Sequence, residues 1–453
     1  PNATCMTTIA RILLVLALWT PETTFGWGPH WHITRAAIEV LGTKHPLAAQ
    51  LGAELLPLTN YCWLPDYKRI PFRVPEQDFY ADDYLLFPGV TKHYDHICPE
   101  VEKTYEPYFR RALQALRTES PANAARWTGS ILHFVQDTGS PPHAAQVRGD
   151  LHSKMENWVD ASKISIPGYE PRLLGTNEND AVRGLVERMN GLIEFSKLRA
   201  QRMRTPVLLA NRRTVEPIAL ESALECARVS ADVLHTLATL AADSPARGFE
   251  IGGTIRARAA VSDGRFPAKM MLNGTNVSTL ADEAGRFFIR GLQAGKHPLS
   301  IIQPGSEILE TNLVVNGPMT NLVFQLRPNG NLVRNGDFRW HWVATNAPDC
   351  WTKMSLSWEG EVIALQNKQR YRVRADFQPA SEAEVVVRWS SEQPFIVPKP
   401  AKAPPIQTRR LTPSAPEFFI SGSSNAALMQ LVIRATGHPT NELRRLSVTP
   451  SAD

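Results

Sequence analysis

Within residues 131–158, ILHFVQDTGSPPHAAQVRGDLHSKMENW, five side chains can bind a metal ion: His133, Asp137, His143, His152 and Glu156. His133 and Asp137 are four residues apart, and so are His152 and Glu156. On a helix that spacing puts two side chains on one face, with Cβ atoms about 5–6 Å apart, so each pair can grip one ion. The Gly-Ser-Pro-Pro run at 139–142 breaks the first helix, because proline lacks an amide proton and clashes with the preceding turn. The chain then turns and delivers His143 back toward the same place. Imidazole and carboxylate without thiolate suit zinc in an open, catalytic site more than in a closed structural one.

These side chains need a helical scaffold, and the sequence supplies one. Apolar residues recur at three- and four-residue spacing in 32–41, 103–116, 122–136, 179–196 and 215–240. Ser120-Pro121 is an N-cap and first-turn signal for the helix that carries His133. An all-α metal-binding domain is therefore expected over 27–245. At 453 residues the chain is too long for one core, and two or three domains follow from length alone. Ahead of the helices, Met6, Arg11 and the apolar run ILLVLALW (12–19) have the layout of a secretory signal peptide ending near Gly26, with residues 1–5 as an upstream extension. That places the mature protein outside the cytoplasm. Removing 1–26 takes away Arg11 and Glu22 and leaves the net charge at +5. Such a mild excess suits anionic substrates or a membrane surface and lacks the dense basic stripe of a dedicated nucleic-acid binder. In an oxidising compartment Cys62 and Cys98 are expected to pair.

Near 245–250 the texture changes to short β-branched and aromatic runs separated by Gly and Asn turns. Within 249–328 the segment DEAGRFFIRGLQAGKHPLSI (282–301) resembles the carboxypeptidase-regulatory or transthyretin-like β-sandwich. From 329 to 453, NLVRNGDFRWHW (331–342) resembles the opening of galactose-binding-like jelly rolls, and the alternating strands 370–377 and 383–390 agree with a sandwich. The expected fold class is thus an all-α domain followed by two all-β sandwich domains, the last a candidate glycan binder.

The pattern HxxxDxxxxxH…HxxxE, met by His133, Asp137, His143, His152 and Glu156, resembles the superfamily of secreted zinc-dependent phospholipases C and single-strand-specific zinc nucleases of fungi and plants. The resemblance implies a trinuclear zinc site in which the first residue of the mature chain, Trp27, binds through its amino and carbonyl groups. His32 follows at the nuclease-like interval, with His30 as the fallback. The family also needs an Asp and a His followed by an aromatic residue: Asp66 in WLPDYKR and His93 in KHYDH fit, with His96 competing for the second place. Asp78, Asp82 and Asp83 lack the framing Trp and Arg of Asp66. The implied ligand sets are Asp66, His93, His133 and Asp137 for one ion, Trp27, His32 and a bridging Asp137 for the second, and His143, His152 and Glu156 for the third.

The chemistry implied is attack of a zinc-bound hydroxide on a phosphodiester, with Asp66 and Asp137 as its catalytic carboxylates. Lys68 and Arg69 lie close enough in sequence to Asp66 to contact phosphate. Glu156 where nucleases carry Asp, the short interval from His143 to His152, and Tyr67, which resembles part of a choline-headgroup pocket, favour phospholipid as substrate. The Trp-Gly…His start favours single-stranded nucleic acid, whose bases would stack on exposed aromatics; Trp31, Trp63, Phe79, Tyr80 and Tyr84 could serve either substrate or simply pack. The third alternative is an inactive, zinc-stabilised glycan-binding or adhesion protein.

Overall fold

The computed structural model describes residues 27–62, 65, 72–74, 79–81, 96–257 and 268–451, other than 276, 283, 304–305, 334, 339–347, 349–350, 354–355, 392–404, 424–426 and 436. The expected signal peptide at 1–26 and residues Trp63, Asp66, Tyr67, Lys68, Arg69, Asp78, Asp82, Asp83, Tyr84 and His93 lie outside the described residues.

Helices α1 (His30–Leu41), α2 (Pro46–Leu51), α3 (Leu58–Tyr61), α4 (Tyr105–Thr118), α5 (Pro121–Gly139), α6 (Pro141–Ala144), α7 (Asp150–Asn157), α8 (Glu178–Leu208) and α9 (Arg212–Asp243) form the first part of the chain. α5 begins at the Ser-Pro signal, with Pro121 in its first turn. The Ser120 hydroxyl makes no cap and donates instead to the Leu280 carbonyl at 3.2 Å. α5 is buried almost throughout, from Asn123 to Gly139, which makes it the central rod of the helical core. α8 runs twelve residues past the expected 196, because Ala200, Met203 and Val207 continue its buried stripe. Asn211 then caps α9, accepting from the Thr214 amide at 3.2 Å. The fully buried Asp232 carboxylate ties α9 to the 169–172 segment and to α8: it accepts from the Tyr169 hydroxyl (2.7 Å), the Arg172 amide (2.8 Å) and Arg188 Nε (2.9 Å). A buried carboxylate so fully partnered is stable where a bare one would not be.

Strands β1 (Phe72–Val74) and β2 (Phe79–Ala81) pair as a short antiparallel hairpin. The remaining strands are β3 (Phe249–Ala257), β4 (Lys269–Leu272), β5 (Ser278–Leu280), β6 (Arg286–Leu292), β7 (Gly295–Ile302), β8 (Leu309–Val315), β9 (Met319–Leu326), β10 (Trp351–Lys353), β11 (Trp358–Ala364), β12 (Arg370–Phe377), β13 (Glu384–Ser390), β14 (Gln407–Leu411), β15 (Glu417–Ser421), β16 (Leu428–Arg434) and β17 (Leu443–Pro450). A sheet of order β6-β3-β9 and one of order β5-β4-β7-β8 enclose a common apolar cluster that includes Ile251, Met270, Ile289 and Ile301. Sheets β10-β11-β16-β13-β14 and β15-β12-β17 enclose a second, around Tyr371, Val385, Ile433 and Val448. Period-two alternation shows on β6 and β12, whose inward residues are buried and outward ones exposed. The chain is therefore helical first and β-rich afterwards.

One expectation is overturned. Cys62 and Cys98 are both buried, and no bond joins their sulfurs in the structure. The Cys62 thiol points into its own turn and donates to the Thr59 carbonyl at 2.9 Å. Among the described residues no helix is long and apolar enough to cross a membrane.

Candidate metal centre

α5 carries His133 and Asp137 one turn apart. His133 Nε2 stands 3.0 Å from Asp137 Oδ2. α6 begins on the Pro-Pro pair itself and buries His143. α7 holds His152 and Glu156 on one face, with His152 Nε2 3.2 Å and His143 Nε2 2.7 Å from Glu156 Oε1. All five residues of the HxxxDxxxxxH…HxxxE pattern thus converge in two groups that could hold metal ions: His30, His133 and Asp137, and His143, His152 and Glu156.

The first group differs from expectation at one place. His30, not His32, faces Asp137, with Nε2 3.3 Å from Oδ1. The two histidines are separated by roughly 200° around the helix, so only one of them can face the core. His30 shares its phase with the buried Ile33, Thr34 and Ala37, whereas His32 is edge-on to Trp31 at 5.0 Å and shares the face of the exposed Arg35 and Glu39. That phase was readable in the sequence. Burial and the nearby Arg35 guanidinium both push the His32 imidazole down. Trp27 is fully buried, its ring edge-on to His30 at 6.2 Å, and its carbonyl accepts from the His30 amide at 3.3 Å.

His96, the competitor to His93, joins the first group. Its Nδ1 is 2.6 Å from Asp137 Oδ2 and 2.9 Å from His133 Nε2. With the 3.0 Å between His133 Nε2 and Asp137 Oδ2, three ligand-type atoms form a triangle too tight for a single proton to satisfy. A cation above that triangle would satisfy all three.

The other ring nitrogens explain why the Nε2 atoms point inward. His133 Nδ1 donates to the Cys62 carbonyl at 2.7 Å, His143 Nδ1 to the His96 carbonyl at 2.8 Å, and His152 Nδ1 to the Val147 carbonyl at 2.9 Å. His30 Nδ1 pairs at 2.7 Å with Gln136 Oε1, whose amide nitrogen donates to Thr34 Oγ1 at 2.7 Å. An N–H spent on an acceptor leaves a lone pair on Nε2, and four such lone pairs are aimed at carboxylate oxygens. Lone pair facing lone pair repels unless a proton or a metal cation lies between, and this anchoring of the outer nitrogen is the usual companion of metal-binding histidines. Sequence reasoning missed Gln136, a buried polar residue beside Asp137 in an otherwise apolar stretch, which was the available signal.

The charges agree. Burial alone would raise the Asp137 carboxyl, but the surrounding His133, His143 and His96 outweigh it and hold it well below the usual carboxylate range. Burial alone would lower His143, yet Asp137 and Glu156 hold it up at about 10. Glu156 is held down at about 2, its burial outweighed by hydrogen bonds from His143 and His152. A metal held by His143 and Glu156 would take the place of the proton between them, so its uptake would release protons.

Gly129 sets the approach of α3 to α5. A Cβ at this position would come within 2.6 Å of the Tyr61 main chain, one residue before the carbonyl that holds His133. Gly129→Ala should push Cys62 off His133, lowering metal affinity on the order of 10–100-fold as expected for loss of an outer-shell partner. Zinc competition against a chromophoric chelator would read this, and unchanged affinity would refute the coupling.

No family model matches the chain. Over 187 residues, 38% of the chain, it is 26% identical to a phospholipase C of Bacillus cereus and covers 64% of that protein. A second Bacillus cereus phospholipase C is 26% identical over 148 residues, covering 30% of this chain and 51% of the relative. Over part of its length the chain is similar to phospholipases C. It spans less than two thirds of the length of either phospholipase C it matches. Among solved structures, the alpha-toxin of Clostridium perfringens aligns at 13% identity and a TM-score of 0.36, over 66% of this chain and 97% of the toxin, a likeness too slight to add to the argument.

Proposed function

We propose that the chain is a secreted zinc-dependent phosphodiester hydrolase of the phospholipase C type. The observation that carries this reading is the set of four buried or half-buried imidazoles whose outer nitrogens are all engaged and whose inner nitrogens converge on Asp137 and Glu156. In the proposed site Asp137 would be shared between two ions. His133, His96 and Asp66 would complete one ligand set, His30 and the Trp27 main chain the other, and His143, His152 and Glu156 would hold a third ion. When bound, zinc supplies Lewis-acid charge and makes a coordinated water acidic enough to ionise near neutral pH.

The residues have separable roles in this reading. Asp137 neutralises the centre of the cluster. Gln136 and the carbonyls of residues 62, 96 and 147 fix the imidazole planes, so no reorganisation is needed as charge develops on the phosphoryl oxygens. Asp66 takes the place of a proton acceptor or orienting group for water, and Tyr67 that of a headgroup contact. The similarity to phospholipases C, together with Glu156 and the short interval before His152, supports lipid over nucleic acid.

The deciding test follows phosphocholine release from phosphatidylcholine vesicles by zinc-loaded protein beginning at Trp27, with a chelated control. Chelator-sensitive release is the expected result. No release from protein holding about three zinc ions would overturn the lipid reading and make single-stranded nucleic acid the next substrate.

A further inference from the structure

The turn between α8 and α9 carries a surface that the metal centre does not use. Leu208 and Leu209, adjacent at its apex, are 70% and 74% exposed. They do not hold the turn together: Met203, Val207, Val215 and Ile218 form the apolar cluster beneath it, with Val207 at 1% exposure. Main-chain bonds close the turn independently, with the Asn211 amide donating to the Pro206 carbonyl at 2.8 Å and the Leu209 amide to Thr205 at 3.1 Å. The two leucines are therefore spare apolar area held out on a rigid hairpin.

Their surroundings are basic. Between Glu194 and Glu216 the chain has Lys197, Arg199, Arg202, Arg204, Arg212 and Arg213 and no acidic residue. Glu221 engages Arg199 and Arg202 (3.1 and 3.0 Å), Glu194 engages Lys197 (2.8 Å), and Glu216 stands 3.9 Å from Arg212. Arg204 and Arg213, both exposed, form no ion pair among the described residues. Beside the tip a cavity of about 320 Å³ has Lys197, Gln201 and Arg204 along α8, with Val147 and Met155 opposite. It adjoins the metal centre: the Val147 carbonyl holds His152, and Met155 precedes Glu156 and packs in the cluster under the tip.

We infer that the α8–α9 tip docks on a lipid bilayer bearing anionic headgroups, with Leu208 and Leu209 entering the interface and Arg204 and Arg213 meeting phosphates. The inference rests on the phospholipase C reading and names the surface on which that site works. Exposed apolar side chains flanked along the chain by arginines match the headgroup–acyl boundary, where apolar burial and attraction to anionic lipid act together. A second copy of this chain is a poor occupant, because it would bring like charges face to face. Nucleic acid would answer the arginines and leave the leucines in water.

The test is flotation of zinc-loaded full-length protein with phosphatidylcholine vesicles and with mixed phosphatidylcholine–phosphatidylglycerol vesicles, scored for binding and not for turnover. Wild type should float with the mixed vesicles, and less so at high salt. L208S/L209S should bind both kinds more than tenfold less. R204Q/R213Q should lose binding only on the anionic vesicles, by roughly fivefold per arginine removed. Both variants should keep the wild-type melting curve and wild-type hydrolysis of a water-soluble chromogenic phosphodiester. Wild type that fails to float, or L208S/L209S that floats as well as wild type, would overturn the inference. So would a wild-type dimer that both double substitutions dissociate without altering flotation. Flotation without headgroup release would sink the phospholipase reading and leave the docking surface standing.

Discussion

Asp137→Asn should remove metal from the centre of the cluster and cut phosphodiester hydrolysis by roughly 10³-fold or more, the equivalent of about 4 kcal/mol of lost electrostatic stabilisation. The substitution keeps shape and volume, so its effect reads charge. The Asp137 carboxylate is fully buried, with His30 Nε2 at 3.3 Å from one oxygen and His96 and His133 at 2.6 and 3.0 Å from the other. An amide there carries no charge, and two dications brought close together would lack the anion between them. Metal content by elemental analysis and steady-state hydrolysis of a soluble diester check the result together. Full metal content with near-normal turnover would mean that Asp137 is a structural acid and the reactive centre lies elsewhere.

The second large effect is on stability. Stripping zinc should lower the melting temperature of the helical part by roughly 10 °C and leave the β-rich part where it was. A ligand at a thousandfold excess over its dissociation constant stabilises by about 4 kcal/mol, and each kcal/mol shifts a domain of about 200 residues by roughly 2–4 °C. The separation is expected because the metal groups lie on α1, α5, α6 and α7, while the β strands pack into clusters of their own. Scanning calorimetry with and without chelator, followed by zinc return, reads both transitions. A single transition that moves as a whole, or none that moves, would reject the picture.

Much of the helical scaffold was legible because its signals are local. The i, i+4 pairs His133/Asp137 and His152/Glu156 need nothing but a helix to converge, and the Pro-Pro break that returns His143 is equally local. The choice between His30 and His32 depended on helix phase, which the residues Ile33, Thr34 and Ala37 record but a fixed interval from Trp27 does not. His93 and His96 stand in a stretch without periodicity, so no local pattern could rank them, and the structure describes only His96. Gln136 escaped because its partner, His30, is 106 residues away in sequence and meets it only through the packing of α1 on α5. The expected Cys62–Cys98 bridge failed for a related reason: proximity of a thiol to the site says nothing of where its sulfur points, and Cys62 turns toward Thr59.

Three of the four imidazole anchors are main-chain carbonyls, at Cys62, His96 and Val147. A carbonyl survives every amino-acid replacement at its own position, so this layer of the site has no side chain to lose. Drift at 62 or 147 can change what the residue is without deleting the acceptor. The vulnerable events are those that alter the path of the chain: an inserted or deleted residue between 59 and 65 or between 143 and 152, or a collision such as a side chain at Gly129. Histidine orientation here is written in loop length, and a scan by single substitution would pass over it.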